Sequence, residues 1–155
     1  MLFRSQLTEE EREHPISLEN YFKTNPIPNN GFFDICGTKF EVYQMTHVVN
    51  RAKYMPAYGL FVTTPGKKKV FITTDTQFAP YQLFGMYREA DVIIHDCETS
   101  KFPSGVHAHY KDLRTLEAET KKKMILCHYN DGEKPDCVAD GFQGWAAQGQ
   151  SWEFE

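Results

Sequence analysis

Val70-Phe71-Ile72-Thr73-Thr74-Asp75-Thr76 is a β-branched and aromatic run that leads into a carboxylate. The arrangement recurs on either side of it, with Val42-Tyr43-Gln44-Met45-Thr46 leading into His47 and Met124-Ile125-Leu126-Cys127 into His128. A side chain that follows a strand projects from a rigid support, so three such residues can reach one pocket. Between these runs, Gln82 to Glu89 reads as helix and Asp91-Val92-Ile93-Ile94-His95 as a buried strand. Tyr110 to Lys121 reads as a second helix, with Leu113 and Leu116 on one face. Lys39 to Thr46 reads as strand, and Gly59 to Thr64 with Lys69 to Thr74, joined through Pro65-Gly66, as a hairpin. Strands alternating with helices predict an α/β layer whose sites gather at strand ends.

The chain has 155 residues, 41% of them hydrophobic and 25% charged, enough for one domain with a real core. Its net charge of -4 provides no global field for nucleic acid, so a phosphate would have to be held by local cations or metal. No run of apolar residues is long enough to cross a membrane, and no export signal precedes the first strand. The cysteines Cys36, Cys97, Cys127 and Cys137 form no CxxC pair, and the expected compartment is a reducing cytoplasm. Residues 6 to 31 are mostly polar, with Thr8 before an acidic run and Ser17 opening Leu18-Glu19-Asn20. Short helical turns and a loop are predicted there, making residues 1–30 an N-terminal remnant and 31–155 the domain proper.

Imidazole and carboxylate together suit zinc or another divalent ion, and a carboxylate shared by two ions offsets their mutual repulsion. Asp75 is the natural bridge. Each residue also has a plainer reading, because a strand-end histidine is commonly hydrogen-bonded in a core or rim, and an aspartate in Thr-Asp-Thr commonly caps a turn or helix.

Order distinguishes these readings. Thr46-His47, then Ile72-Thr73-Thr74-Asp75-Thr76, then Ala90-Asp91-Val92-Ile93-Ile94-His95-Asp96, then Leu126-Cys127-His128-Tyr129 resembles the metallo-β-lactamase superfamily, in its ribonuclease Z-like branch, over residues 31 to 155. The resemblance implies the αββα fold of that family, here its C-terminal half, and a two-ion site of zinc or manganese. His47, Asp75 and His128 are the metal ligands it implies. It further implies a catalytic pair of Asp96 and His109 that assists proton transfer to the leaving oxygen, with Asp96 standing where the family has a glutamate one methylene longer. His107 matches no family motif and reads as a loop residue, His95 as structural, and Glu98 as second choice to Asp96 for the acid. The tail from Asp140 to Trp145 and on to Phe154 is also similar to metallo-hydrolases that cleave cyclic nucleotides, including phage enzymes that destroy cyclic pyrimidine nucleotide signals; a close-packed turn and closing strand fit it equally well. Phe78, Tyr81 and Tyr129 are candidates to stack a base or to pack the rim.

The HxHxDH segment from which the family builds the rest of its site occurs nowhere in the chain. The expected function is therefore that of an intact parent protein: a metal-dependent phosphodiesterase acting on a small cyclic nucleotide or other phosphodiester, with water activated at a two-metal site. The alternative is a shortened, non-catalytic relative serving as a binding module. A homodimer or a complementary N-terminal half is the expected partner, and an unsupported sheet face and edge the expected structural consequence.

Overall fold

Short apolar runs bounded by Gly, Pro and polar residues become adjacent strands of one sheet. The computed structural model describes residues 17–50 and 53–154. Seven strands lie side by side in chain order: β1 (Phe32–Ile35), β2 (Thr38–Asn50), β3 (Lys53–Thr63), β4 (Lys69–Ile72), β5 (Val92–Asp96), β6 (Met124–Cys127) and β7 (Gly144–Trp145). Pairing is antiparallel from β1 to β4 and parallel from β4 to β7. It follows that β2, β4, β5 and β6 all run the same way and deliver their carboxyl ends to one edge of the sheet.

The predicted hairpin is present, with Leu60 opposite Ile72 and Thr63 opposite Lys69. Its partner ribbon is longer than the sequence suggested, because β2 continues past His47 to Asn50. Met45 pairs with Ala57 and Val48 with Met55, so Thr46 and His47 stand opposite Pro56 alone. That is a β-bulge, and proline fits opposite one because it has no N–H to give to a ladder. His47 is thus aimed by a bulge within a strand rather than by a strand end.

One face of the sheet carries the main core, in which Met45, Phe71, Ile93, Met124 and Leu126 are fully buried or nearly so. It is covered by α1 (Pro80–Glu89), which opens on Pro80, where the missing N–H costs nothing, and presents Leu83 and Tyr87, one turn apart, to the sheet. Lys123 Nζ donates to the Arg88 and Ala90 carbonyls at the C-terminal end of α1, a cation placed where the helix dipole favours it. The single helix expected from Tyr110 to Lys121 is instead two short ones, α2 (Tyr110–Leu113) and α3 (Ala118–Lys121). Thr115 Oγ1 donates to the Asp112 carbonyl at 2.6 Å, a side-chain bond that competes with helix continuation. Leu113 and Leu116 still reach the core.

On the opposite face a smaller hydrophobic cluster of Val70, Val92 and Ile125 is buried, flanked by partly buried Val62, Ile72 and Ile94, with Trp152 and Phe154 from the tail lying against it. Gly141, at φ +93°, turns the chain so that Phe142 enters the main core, and Trp145 stacks on Tyr110 with centroids 5.6 Å apart. Ser17 opens a single 3-10 turn, Leu18–Asn20; the Thr8 region lies outside the described residues. All four cysteines are free, and no helix among the described residues is long and apolar enough to cross a membrane.

His95, the penultimate residue of β5, is fully buried. Its Nδ1–H donates to the Asp96 carbonyl at 2.6 Å, and its Nε2 accepts from the Tyr87 hydroxyl at 2.6 Å, which fixes a neutral tautomer. Burial pulls its pKa down from 6.5 to about 4, against the smaller opposing effects of the Asp96 carbonyl and carboxylate. Between those two values the unfolded chain binds a proton that the folded chain does not, so stability is complete above pH 6.5 and falls as pH drops toward 4. We expect denaturant unfolding to show a loss of about 3 kcal/mol over that window from this group. In His95→Gln that component of the pH slope should be absent.

Candidate metal centre

The carboxyl edge of the sheet gathers four imidazole and carboxylate side chains around a fifth that is buried. Asp96, the last residue of β5, is 1% exposed. Its Oδ2 accepts the Thr76 backbone N–H at 2.9 Å and lies 2.8 Å from His107 Nδ1, while its Oδ1 lies 3.0 Å from His128 Nδ1. Thr73 Oγ1 accepts from the Asp96 N–H at 3.0 Å, so the end of β5 is also tied to the end of β4. A carboxylate so far from solvent is tolerable because each oxygen has a donor.

Asp75 stands in front of it and is more open to solvent. Its Oδ2 is 3.7 Å from His47 Nε2 and its Oδ1 is 3.4 Å from His128 Nδ1, so the structure brings the three sequence-derived ligand candidates together with the carboxylate between the two rings. The turn carrying it is held from both sides: Thr74 Oγ1 donates to the Tyr58 carbonyl at 2.9 Å, and the Gln77 N–H donates to the Thr46 carbonyl at 2.7 Å. Thr74 and His128 both adopt left-handed backbone, at φ +51° and +59°. That conformation is costly for a residue with a side chain, most of all a β-branched one, and it survives where surrounding contacts over-determine it.

His47 Nδ1–H donates to the Val106 carbonyl at 2.8 Å, which assigns the proton and leaves the Nε2 lone pair toward Asp75. The His107 ring sits between the other two, its centroid 5.0 Å from that of His47 and 4.7 Å from that of His128. Among the described residues, two sets bring one ligand atom each to within 4.8 Å of one another: His47, Asp75 and His107, and Asp96, His107 and His128. Imidazole nitrogen and carboxylate oxygen are the donor types of a catalytic divalent ion, so His47, Asp75 and His128 fit one side of a zinc or similar site, with His107 close enough to act either as a ligand or as an acid–base group beside it.

His109 is not brought to Asp96. It is 4% exposed; its Nε2–H donates to the Ser100 carbonyl at 2.9 Å, and its Nδ1 caps α2 by accepting the Lys111 N–H at 3.1 Å. His107 takes the place beside Asp96 that the sequence reading assigned to His109. His107 lies in the loop that faces Asp96, whereas the His109 ring is drawn away by its cap bond to the Lys111 N–H and its bond to the Ser100 carbonyl. Only one of the two rings can meet the Asp96 carboxylate, and the spacing alone does not say which. Glu98, buried beside this pair, collects hydrogen bonds from Ser100 and Ser104. Burial raises its carboxyl pKa, but those bonds outweigh it and hold the group below the ordinary carboxylate value.

A family model described as "Anti-Pycsar protein Apyc1" matches residues 2–152. The chain belongs to the anti-Pycsar protein Apyc1 family. Among curated relatives, the anti-Pycsar protein Apyc1 of Bacillus phage vB_BsuM-Goe3 is 26% identical over 148 residues, covering 87% of this chain and 53% of the relative. The one from Bacillus phage BSP38 is 28% identical over 113 residues, covering 72% and 41%. The chain thus spans about half the length of the curated relatives it matches. Among solved structures, the metallo-β-lactamase fold protein YhfI from Bacillus subtilis superposes with a TM-score of 0.66 at 15% identity, covering 93% of this chain and 60% of that one. A diphosphatase of the PhnP family gives a TM-score of 0.58 at 18% identity, covering 83% and 48%. These likenesses establish the metallo-β-lactamase fold for this member of the Apyc1 family.

In isothermal titration with zinc, Asp75→Ala should remove most of the binding heat of this chain, because it deletes the carboxylate between His47 and His128. Unchanged heat would mean that Asp75 is not a ligand.

Proposed function

We propose that the intact protein to which this chain corresponds is a divalent-metal phosphodiesterase acting on a small cyclic nucleotide, and that His47, Asp75 and His128 hold one side of its metal centre. The observation that carries the reading is the placement of the Asp75 carboxylate between two imidazoles at the carboxyl edge of the sheet. Membership of the Apyc1 family and the likeness to PhnP-family and other metallo-β-lactamase fold proteins support it. The remaining ligands would come from polypeptide outside this chain.

Divalent ions held there, when bound, supply positive charge to the phosphodiester and make water more acidic. This chain's own residues do the rest. Asp96, shielded from solvent, accepts a proton-mediated bond from His107 Nδ1 and keeps that ring from turning. As the imidazolium, with its Nδ1–H on Asp96, His107 can hand its Nε2 proton to the departing alkoxide, a poor leaving group that needs one, and is left as the neutral Nδ1–H tautomer. We assign this transfer to His107 with Asp96, and His109 to holding the adjoining loop. Tyr129 spends its hydroxyl on the Ala146 carbonyl and packs its ring at a steep angle against Trp145, which supports packing at the rim over base stacking for that residue.

Two substitutions in the full-length protein test the assignment. Asp75→Ala should nearly abolish hydrolysis of cyclic nucleotides, and retained turnover would refute the ligand role. His107→Asn should lower kcat on a cyclic nucleotide by about 100-fold or more, yet have far less effect on a p-nitrophenyl phosphodiester, whose leaving group departs unprotonated. Equal losses on both substrates would exclude proton donation by His107.

A further inference from the structure

The segment from Glu98 to His109 leaves the sheet and returns to the point it left. The Glu98 N–H donates to the Ala108 carbonyl at 2.8 Å, and the Tyr110 N–H donates to the Glu98 carbonyl at 2.9 Å, so the two ends are closed by backbone bonds. Inside the closure the Glu98 carboxylate, on a residue 7% exposed, receives three donors: Ser100 Oγ–H at 2.7 Å, Ser104 Oγ–H at 3.0 Å and the Ser104 N–H at 2.9 Å. His109 Nε2–H pins the Ser100 carbonyl from the other side. Across the site, Asn130 Oδ1 accepts the Thr99 N–H at 2.9 Å, and Thr99 Oγ1 accepts the Asn130 N–H at 3.1 Å, joining this loop to the one that carries His128.

Two residues past Ser104 the loop presents the Val106 carbonyl to His47 Nδ1, and the next residue, His107, meets Asp96. The arrangement of both imidazoles therefore depends on where residues 104 to 107 lie, and that is set by a carboxylate that touches neither.

We propose that Glu98 is a positioning residue for the metal centre: by clamping Ser100 and Ser104 it fixes the Val106 carbonyl, which holds His47 as its Nδ1–H tautomer with Nε2 available to metal, and it sets His107 against Asp96. The inference rests on the metal-centre reading for its consequence, but not for its geometry. Glu98→Gln tests it closely, because the amide nitrogen brings donors to face the donors of Ser100 and Ser104 while the side-chain volume is kept.

Nitrogen NMR of the imidazole rings, with the full chain and no metal, reads the tautomer; titration with zinc alone reads the consequence. In the parent chain His47 should be a single Nδ1–H tautomer in its neutral form. In Glu98→Gln it should become a mixture of tautomers, and zinc affinity should fall about 10- to 100-fold. Ser104→Thr, which keeps the hydroxyl, should resemble the parent on both readouts. A folded Glu98→Gln chain that retains the single tautomer and the parent's zinc affinity would overturn the proposal. If Glu98→Gln does not fold, the double variant Ser100→Ala with Ser104→Ala removes the two hydroxyl donors and is judged by the same outcomes. If this chain alone binds no zinc, because the remaining ligands lie outside it, the tautomer decides the role of Glu98 by itself; the metal-centre reading is refuted if the intact protein binds no divalent ion.

Discussion

The buried carboxylate of Asp96 is the constraint around which the site is organised. It has almost no access to water, so its two oxygens must be satisfied by the protein, and the donors come from three separate loops: the Thr76 amide, His107 and His128. Removing one partner of a buried ionic group typically costs about 3–5 kcal/mol, because the charge is left uncompensated. None of the three loops can move away cheaply, and their side chains stay in register with one another. The parallel pairing of β4, β5 and β6 supplies the rest, since it brings the three strand ends to the same level.

Much of this was legible in the chain. Strands buried on both faces leave short apolar runs, and a polar residue directly after such a run stands out, which is why Asp75, Asp96 and His128 could be placed from residue order. The division of Tyr110 to Lys121 into two helices was not legible, because the competing bond of Thr115 leaves no mark on the spacing of Leu113 and Leu116. His107 was obscured for a related reason. It lies in a loop with no periodicity, beside a second histidine that offers the same chemistry. The available signal was the cap: a histidine directly before Tyr110-Lys111-Asp112-Leu113 can spend its ring on the first turn of that helix, which leaves the other histidine for Asp96.

Several groups at the edge are held in conformations that a free chain would leave. Thr74 and His128 carry left-handed backbone at a cost of about 1–3 kcal/mol each, met by the packing and hydrogen bonding of their surroundings.

The bulge in β2 makes the site sensitive to chain length in a way that composition does not reveal. Thr46 and His47 occupy the span of one partner residue, Pro56, so the strand changes pleat phase there. Losing one residue from Thr46 to Val48 would restore an unbroken alternation and rotate the imidazole to the other side of the ribbon, with the side chains beyond it keeping their composition but exchanging faces. Related chains can therefore vary the residues of this ribbon widely and still keep the centre, whereas a gap of a single codon in it would mark a lineage that has lost the centre.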